Sequence, residues 1–229
     1  NDLAMALCRF EGTKDFYSGG LDGHITCWDN AGNKVRISFT TEIHHKLAKD
    51  SILSMLCDGK YLYGASGMKN IIIINTETNE EVGLLYESDD IVYMSVNHRG
   101  DRLITNTSMH SPELHVWDMK NRCIIGRYWK HTQESSSAQL TQVHHPMAFI
   151  GNHSEYIVSG SEKGSIYIWH QNEFNPLTQV GKPIQELVHH KLQVNAVAGW
   201  NSHGKAYLLS GADDGELVLW SSDPTPVKE

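Results

Sequence analysis

The chain has 229 residues, with 40% hydrophobic and 20% charged side chains. Its 19 lysines and arginines stand against 27 aspartates and glutamates, a formal net charge of −8. That composition is globular, and its acidity speaks against nucleic acid as the direct ligand, because a phosphate backbone would be repelled. No apolar run approaches the roughly 18 to 20 residues of a spanning helix, so membrane insertion is not expected.

The four cysteines, Cys8, Cys27, Cys57 and Cys123, are dispersed without a CxxC pair. This use of thiols predicts a reducing compartment, the cytoplasm or nucleus. No signal peptide is visible, although Asn1 is not a natural start and a targeting segment could have been trimmed.

Along the chain one pattern recurs: an apolar strand ending in small residues, a Gly-containing turn, then an alternating strand ending in Trp. The first copy runs from Phe16 through Ser18-Gly19-Gly20 and Asp22-Gly23 to Trp28-Asp29. In the second, Tyr63-Gly64-Ala65-Ser66-Gly67 leads to Ile71-Ile72-Ile73-Ile74, with Asn75 read in the Trp place. In the third, Leu103-Ile104-Thr105-Asn106-Thr107 leads to Leu114-His115-Val116-Trp117-Asp118. The fourth runs from Ile157-Val158-Ser159-Gly160 through Lys163-Gly164 to Trp169, and the fifth from Leu209-Ser210-Gly211 through Asp214-Gly215 to Trp220. The markers at 28, 75, 117, 169 and 220 are 47, 42, 52 and 51 residues apart. Short alternating strands bounded by Gly, Asn and Asp corners predict antiparallel sheet. A twisted four-stranded unit cannot bury both faces alone, so such units are expected to stack around an axis.

These residues resemble the WD-repeat family over essentially the whole chain. The resemblance implies an all-β WD-repeat β-propeller with blades at about 1–42, 43–87, 88–130, 131–188 and 189–222, and a tail at 223–229. Seven blades is the commonest number in the family, so the five visible copies are expected to be part of a seven-bladed ring. Leu3 to Phe10 already reads as the first strand of blade one, and the prolines after Trp220 discourage a fourth strand in blade five. Upstream residues of a longer protein are then expected to supply the closing strand and further blades. Concealed blades in the gaps, or a partner chain closing the ring, are the rival readings.

The resemblance also implies a hydrogen-bonded tetrad in well-kept blades: His190, Ser210, Asp214 and Trp220 in the fifth copy, with the family's preceding Gly replaced by His189. The first copy supplies Ser18, Asp22 and Trp28. The fourth has Lys163 for the turn Asp, and the second and third copies are expected to lack the tetrad more thoroughly. Two blades further resemble the WD-repeat subunit of the CTLH (glucose-induced degradation) ubiquitin ligase. That likeness rests on Asn121-Arg122-Cys123-Ile124-Ile125-Gly126-Arg127-Tyr128 with Lys130-His131, and on the fourth copy from Tyr156 to His170. The WD-x-Arg signature of cullin-ligase receptors is absent, since Trp28-Asp29 precedes Asn30-Ala31 and Trp117-Asp118 precedes Met119-Lys120.

Among the 14 histidines, the pairs His44-His45, His144-His145 and His189-His190 fall close to predicted first strands. Neighbours on a strand point to opposite faces, so such a pair rarely supplies two ligands to one ion, and no metal site is expected. Asp89-Asp90 reads as a solvated loop, and Asp214 belongs to its turn. No GxSxG elbow, HExxH or phosphate-cradling loop is present, so neither an enzyme nor a cofactor is expected. Residues 132–139 read as a flexible polar loop, open to modification or partner binding. Trp129, in an outer strand, and Trp200, near the end of a first strand, are either core or partner-binding anchors. The expected role is a non-catalytic scaffold, an assembly or substrate-docking subunit that holds other proteins in a stable complex and takes no small-molecule substrate. The alternative is a peptide or histone-tail reader using the propeller's central channel.

Overall fold

Strands form where β-branched and aromatic residues run between corners that glycine and aspartate can turn. In the computed structural model, which describes residues 4–9, 15–40, 51–67, 69–107, 113–129, 147–151 and 153–222, those runs make twenty strands and no helix among the described residues. The fold is all-β, as the repeat implies. His44-His45, His144-His145, residues 132–139 and the tail at 223–229 lie outside the described residues.

The chain divides into two compact units, residues 1–94 and 95–229. In the first unit, β1 (Ala4–Arg9), β2 (Phe16–Gly20), β3 (His24–Trp28) and β4 (Lys34–Thr40) form one antiparallel meander. β5 (Ile52–Cys57), β6 (Tyr61–Ser66), β7 (Asn70–Asn75) and β8 (Glu81–Tyr86) form a second. Their facing sides share one core, with Ala6, Tyr17, Ile25 and Cys27 from the first sheet against Ile52, Met55, Leu62, Ile72 and Ile74 from the second. The close approach depends on Gly19, where an added Cβ would lie 2.5 Å from Ile52 Cγ2. Burial in this core pushes the Cys8 thiol up to about 12, with smaller contributions from Cys57 and Cys27, so it packs as a small hydrophobe.

The third sheet holds β9 (Ile91–Val96), β10 (Arg102–Thr107), β11 (Leu114–Asp118) and β12 (Cys123–Tyr128). β13 (Met147–Ile150), β14 (Tyr156–Gly160), β15 (Ser165–His170) and β17 (Gln185–Val188) make the fourth. β18 (Val194–Ser202), β19 (Lys205–Ala212) and β20 (Leu217–Ser221) make the fifth, which has three strands among the described residues. In the second unit, the third and fourth sheets pack through Ile104, Leu114, Val116, Tyr128, Ile157 and Trp169. The fourth and fifth pack through Ile150, Val158, Ile166, Val194, Val197 and Leu208.

One strand departs from the meander. β16 (Val180–Gly181), from the long connection between β15 and β17, runs parallel to β12 and adds a fifth strand to the third sheet. Arg127 donates its amide to the Gln179 carbonyl at 2.7 Å, and the buried Tyr128 hydroxyl donates to the Gln171 carbonyl at 2.6 Å. A Cβ at Gly181 would stand 2.3 Å from the Tyr128 ring, so glycine is required for the strap to lie this close. The described residues from 153 to 188 thus serve two sheets, an arrangement invisible to a reading by consecutive strands.

The second copy needs correction at its marker. Asn75 does not stand in the Trp place. Its side-chain oxygen accepts the amides of Glu77 (2.8 Å) and Thr78 (3.1 Å), as Asp29 accepts Ala31 and Asn33, and Asp118 accepts Lys120 and Asn121. Asn75 is therefore the counterpart of the Asp that follows Trp. Ile74, which pairs with Leu62 as Trp117 pairs with Leu103, fills the indole's place in the core.

Candidate interaction site

The fifth sheet places four polar side chains in one chain of hydrogen bonds. The Trp220 indole N–H donates to Ser210 Oγ at 2.9 Å, and Ser210 Oγ lies 2.8 Å from His190 Nε2. His190 Nδ1 lies 3.2 Å from Asp214 Oδ2. Because Ser210 Oγ already accepts from the indole, its own proton is free for Nε2, and Nδ1–H is left to donate to the carboxylate. His190 and Ser210 are buried, so each bond forms away from competing water. Asp214 is held from the other side by the amides of Lys191 (2.9 Å) and Glu216 (3.0 Å). The Lys191 amide first, then the Glu216 amide and His190, keep its carboxyl below the usual carboxylate range. The network ties the connection before β18 to both strands of the β19–β20 hairpin.

The first sheet brings Trp28 and Ser18 together, with the indole donating to Ser18 Oγ at 2.8 Å. Asp22 instead stays on its own turn, accepting the His24 amide at 3.1 Å. In the fourth sheet Ser159 donates to the Gly160 carbonyl at 3.1 Å, while Trp169 is buried edge-on against Tyr128. The third sheet keeps more than its sequence promised, for the buried Trp117 indole donates to Thr105 Oγ1 at 3.2 Å. Thr105 pairs with His115, just as Ser18 pairs with Thr26 and Ser210 with Val218, so it occupies the register of the serines. It precedes its Trp by twelve residues where Ser18 and Ser210 precede theirs by ten, and the longer hairpin hid the equivalence.

Both tryptophans singled out as anchors are on the surface. Trp129 follows β12 directly and is 55% exposed; Trp200, in β18, is 42% exposed and stacks on Tyr207 with ring centroids 5.5 Å apart. Alternation along the strands puts Trp200, Tyr207, Leu209, Leu217 and Leu219 on one face of the fifth sheet, the face opposite Val197, Leu208 and Trp220 in the core. Leu217 and Leu219 are 76% and 60% exposed there. Beside Trp200 a cleft of about 490 Å³ opens, lined by Ser95, His98, Ser154, Gly199 and Asn201 among others. Asn201 accepts the Gly151 amide at 3.1 Å and donates to its carbonyl at 2.8 Å, fixing the fourth sheet's first hairpin to the fifth sheet.

The two carboxylate pairs are engaged in local structure. Asp213 accepts from the Asn195 side chain, and Asp214 belongs to the network above. Asp89, expected to be solvated, is largely covered and pairs at 3.3 Å with Lys69, so the β8–β9 turn is tied to the β6–β7 turn. That ion pair was not legible because its partner lies twenty residues away in sequence.

Residues 181–221, from β16 to β20, match the family model of the WD domain, G-beta repeat. The chain is 29% identical over 196 residues to a WD repeat-containing protein WDS homolog of Arabidopsis thaliana, covering 86% of this chain and 34% of that protein. It is 27% identical over 225 residues to a WD repeat-containing protein 26 homolog of Drosophila melanogaster, covering 98% and 32%. To GID complex subunit 7 of Schizosaccharomyces pombe it is 26% identical over 223 residues, covering 93% and 39%. The chain thus spans about a third of the length of these relatives.

Proposed function

We propose that this chain, a run of WD-repeat β-propeller blades, is a non-catalytic scaffold that docks other proteins within a stable complex, and that the complex is a ubiquitin ligase of the glucose-induced degradation type. The observation that carries this reading is the similarity to GID complex subunit 7, which extends over 93% of the chain. The sheets support it physically. Stacked meanders pinned by buried hydrogen bonds present side chains with little backbone freedom, so a partner pays little to order them. Trp129 and Trp200, large and half in water, are the kind of side chain that dominates protein interfaces.

The test is affinity purification of the full-length protein at endogenous level, followed by mass spectrometry, with Trp129→Ala and Trp200→Ala beside the wild type. Stoichiometric recovery of ligase subunits, reduced in at least one variant, is the expected result. Recovery of the ligase undiminished in both variants would remove these two residues as anchors. Recovery of short modified peptides alone, or turnover of a small molecule by the purified protein, would overturn the scaffold.

A further inference from the structure

The expectation that adjacent histidines rarely serve one ion assumed that they lie on a strand. His189 and His190 do not. β17 ends at Val188 and β18 begins at Val194, so both sit in the connection, free of strand alternation. Their rings are 5.6 Å apart and nearly perpendicular, and each meets a carboxylate of the β19–β20 corner. His189 Nε2 lies 2.9 Å from Glu216 Oε2, and His190 Nδ1 lies 3.2 Å from Asp214 Oδ2. The ligating atoms of His190, Asp214 and Glu216 all fall within 4.8 Å of one another.

We propose that this corner binds a divalent transition-metal ion of the zinc class through His190, Asp214 and Glu216, with His189 as the fourth ligand. Two imidazoles and two carboxylates suit zinc, and imidazole disfavours calcium or magnesium. Zinc bonds of about 2.0–2.2 Å to nitrogen and oxygen place tetrahedral ligands roughly 3.3 Å from one another. Two of the pairs already stand near that separation. The remaining closure falls to His189 and Glu216, both about half exposed and able to move, while His190 and Asp214 are fixed by burial and backbone amides.

Both imidazoles ligate as neutral rings, so no outside proton acceptor is needed: the half-exposed His189 ligates through Nε2 with its proton on Nδ1. To ligate through Nδ1, His190 passes its proton to the other ring nitrogen, and Nε2–H then donates to Ser210 Oγ. The Ser210 hydroxyl turns to the Val218 carbonyl, 3.5 Å away, and still accepts from Trp220. Metal binding therefore reverses the His190–Ser210 link, keeps the Trp220–Ser210 bond, and replaces the His190–Asp214 hydrogen bond by coordination of both side chains to the ion.

The experiment uses the chelator-treated full-length protein. Zinc is titrated by calorimetry and cobalt(II) by its visible absorption, for the wild type, His189→Ala and Glu216→Gln. Both substituted side chains are exposed, so melting in EDTA should match the wild type. The expected result is a tetrahedral cobalt spectrum assigned to this corner by its loss in both variants, and zinc affinity lowered at least about tenfold in each. Zinc binding of equal strength in the wild type and both variants, an octahedral spectrum throughout, or no saturable binding would overturn the site.

Discussion

Ser210→Ala is the sharpest probe of the fifth sheet, because one hydroxyl serves two partners. Its removal strands His190 Nε2, which is buried beyond the reach of water, and frees the indole N–H of the half-buried Trp220. Leaving a buried acceptor unsatisfied costs about 1–3 kcal/mol, and losing the indole bond, which water can partly replace, costs about 1 kcal/mol. The sum is about 2–4 kcal/mol. Ser18→Ala removes only the Trp28 bond in a half-buried setting, and should cost about 1 kcal/mol. Native-state hydrogen exchange resolves the two, since sheets in different units can open separately. At tenfold per 1.4 kcal/mol, amide protection across β18–β20 should fall by roughly 30-fold to several hundred-fold in Ser210→Ala. Protection across β1–β4 should fall by roughly fivefold in Ser18→Ala. Ser210→Thr should retain most of the protection, since Thr105 holds Trp117 in the third sheet. Equal losses in the two alanine variants would refute the reasoning, for they would mean that the His190 bond contributes nothing.

Asp214→Asn tests the charged end of the same network. The Asp214 carboxyl titrates below its unfolded value, so its contribution is complete above about pH 4 and is lost as pH falls through the folded value. Urea midpoints should show the variant less stable than the wild type at pH 6, with the difference narrowing in acid; a constant difference would contradict the linkage. Gly160→Ala tests the packing of the fourth sheet on the fifth. The added Cβ would lie 2.7 Å from Val194 Cβ and 2.9 Å from its carbonyl oxygen, neither of which can swing away. Overpacking of this kind costs about 1–3 kcal/mol, and calorimetry should record melting several degrees lower. Unchanged melting would mean that the two sheets do not pack this closely.

The repeat itself was written in the sequence. Period-two alternation, Asp-Gly corners and strands that end in tryptophan are local signals, and β-strand and tight-turn preferences act over only a few residues. The same local logic joins Ser210 to Trp220 and Ser18 to Trp28, ten residues apart on neighbouring strands of one hairpin. Tertiary structure decided what depends on register and on distant chain. It moved the second marker from Asn75 to Ile74, because turn capping rather than residue size assigns that corner. It restored Thr105 to the serine register despite two extra hairpin residues. It laid β16 against β12 through contacts more than forty residues apart, such as Tyr128 to Gln171. It also turned His189 and His190 onto one carboxylate-bearing corner, because a connection between sheets obeys no strand alternation, and only the packing of one sheet on the next determines where its side chains point.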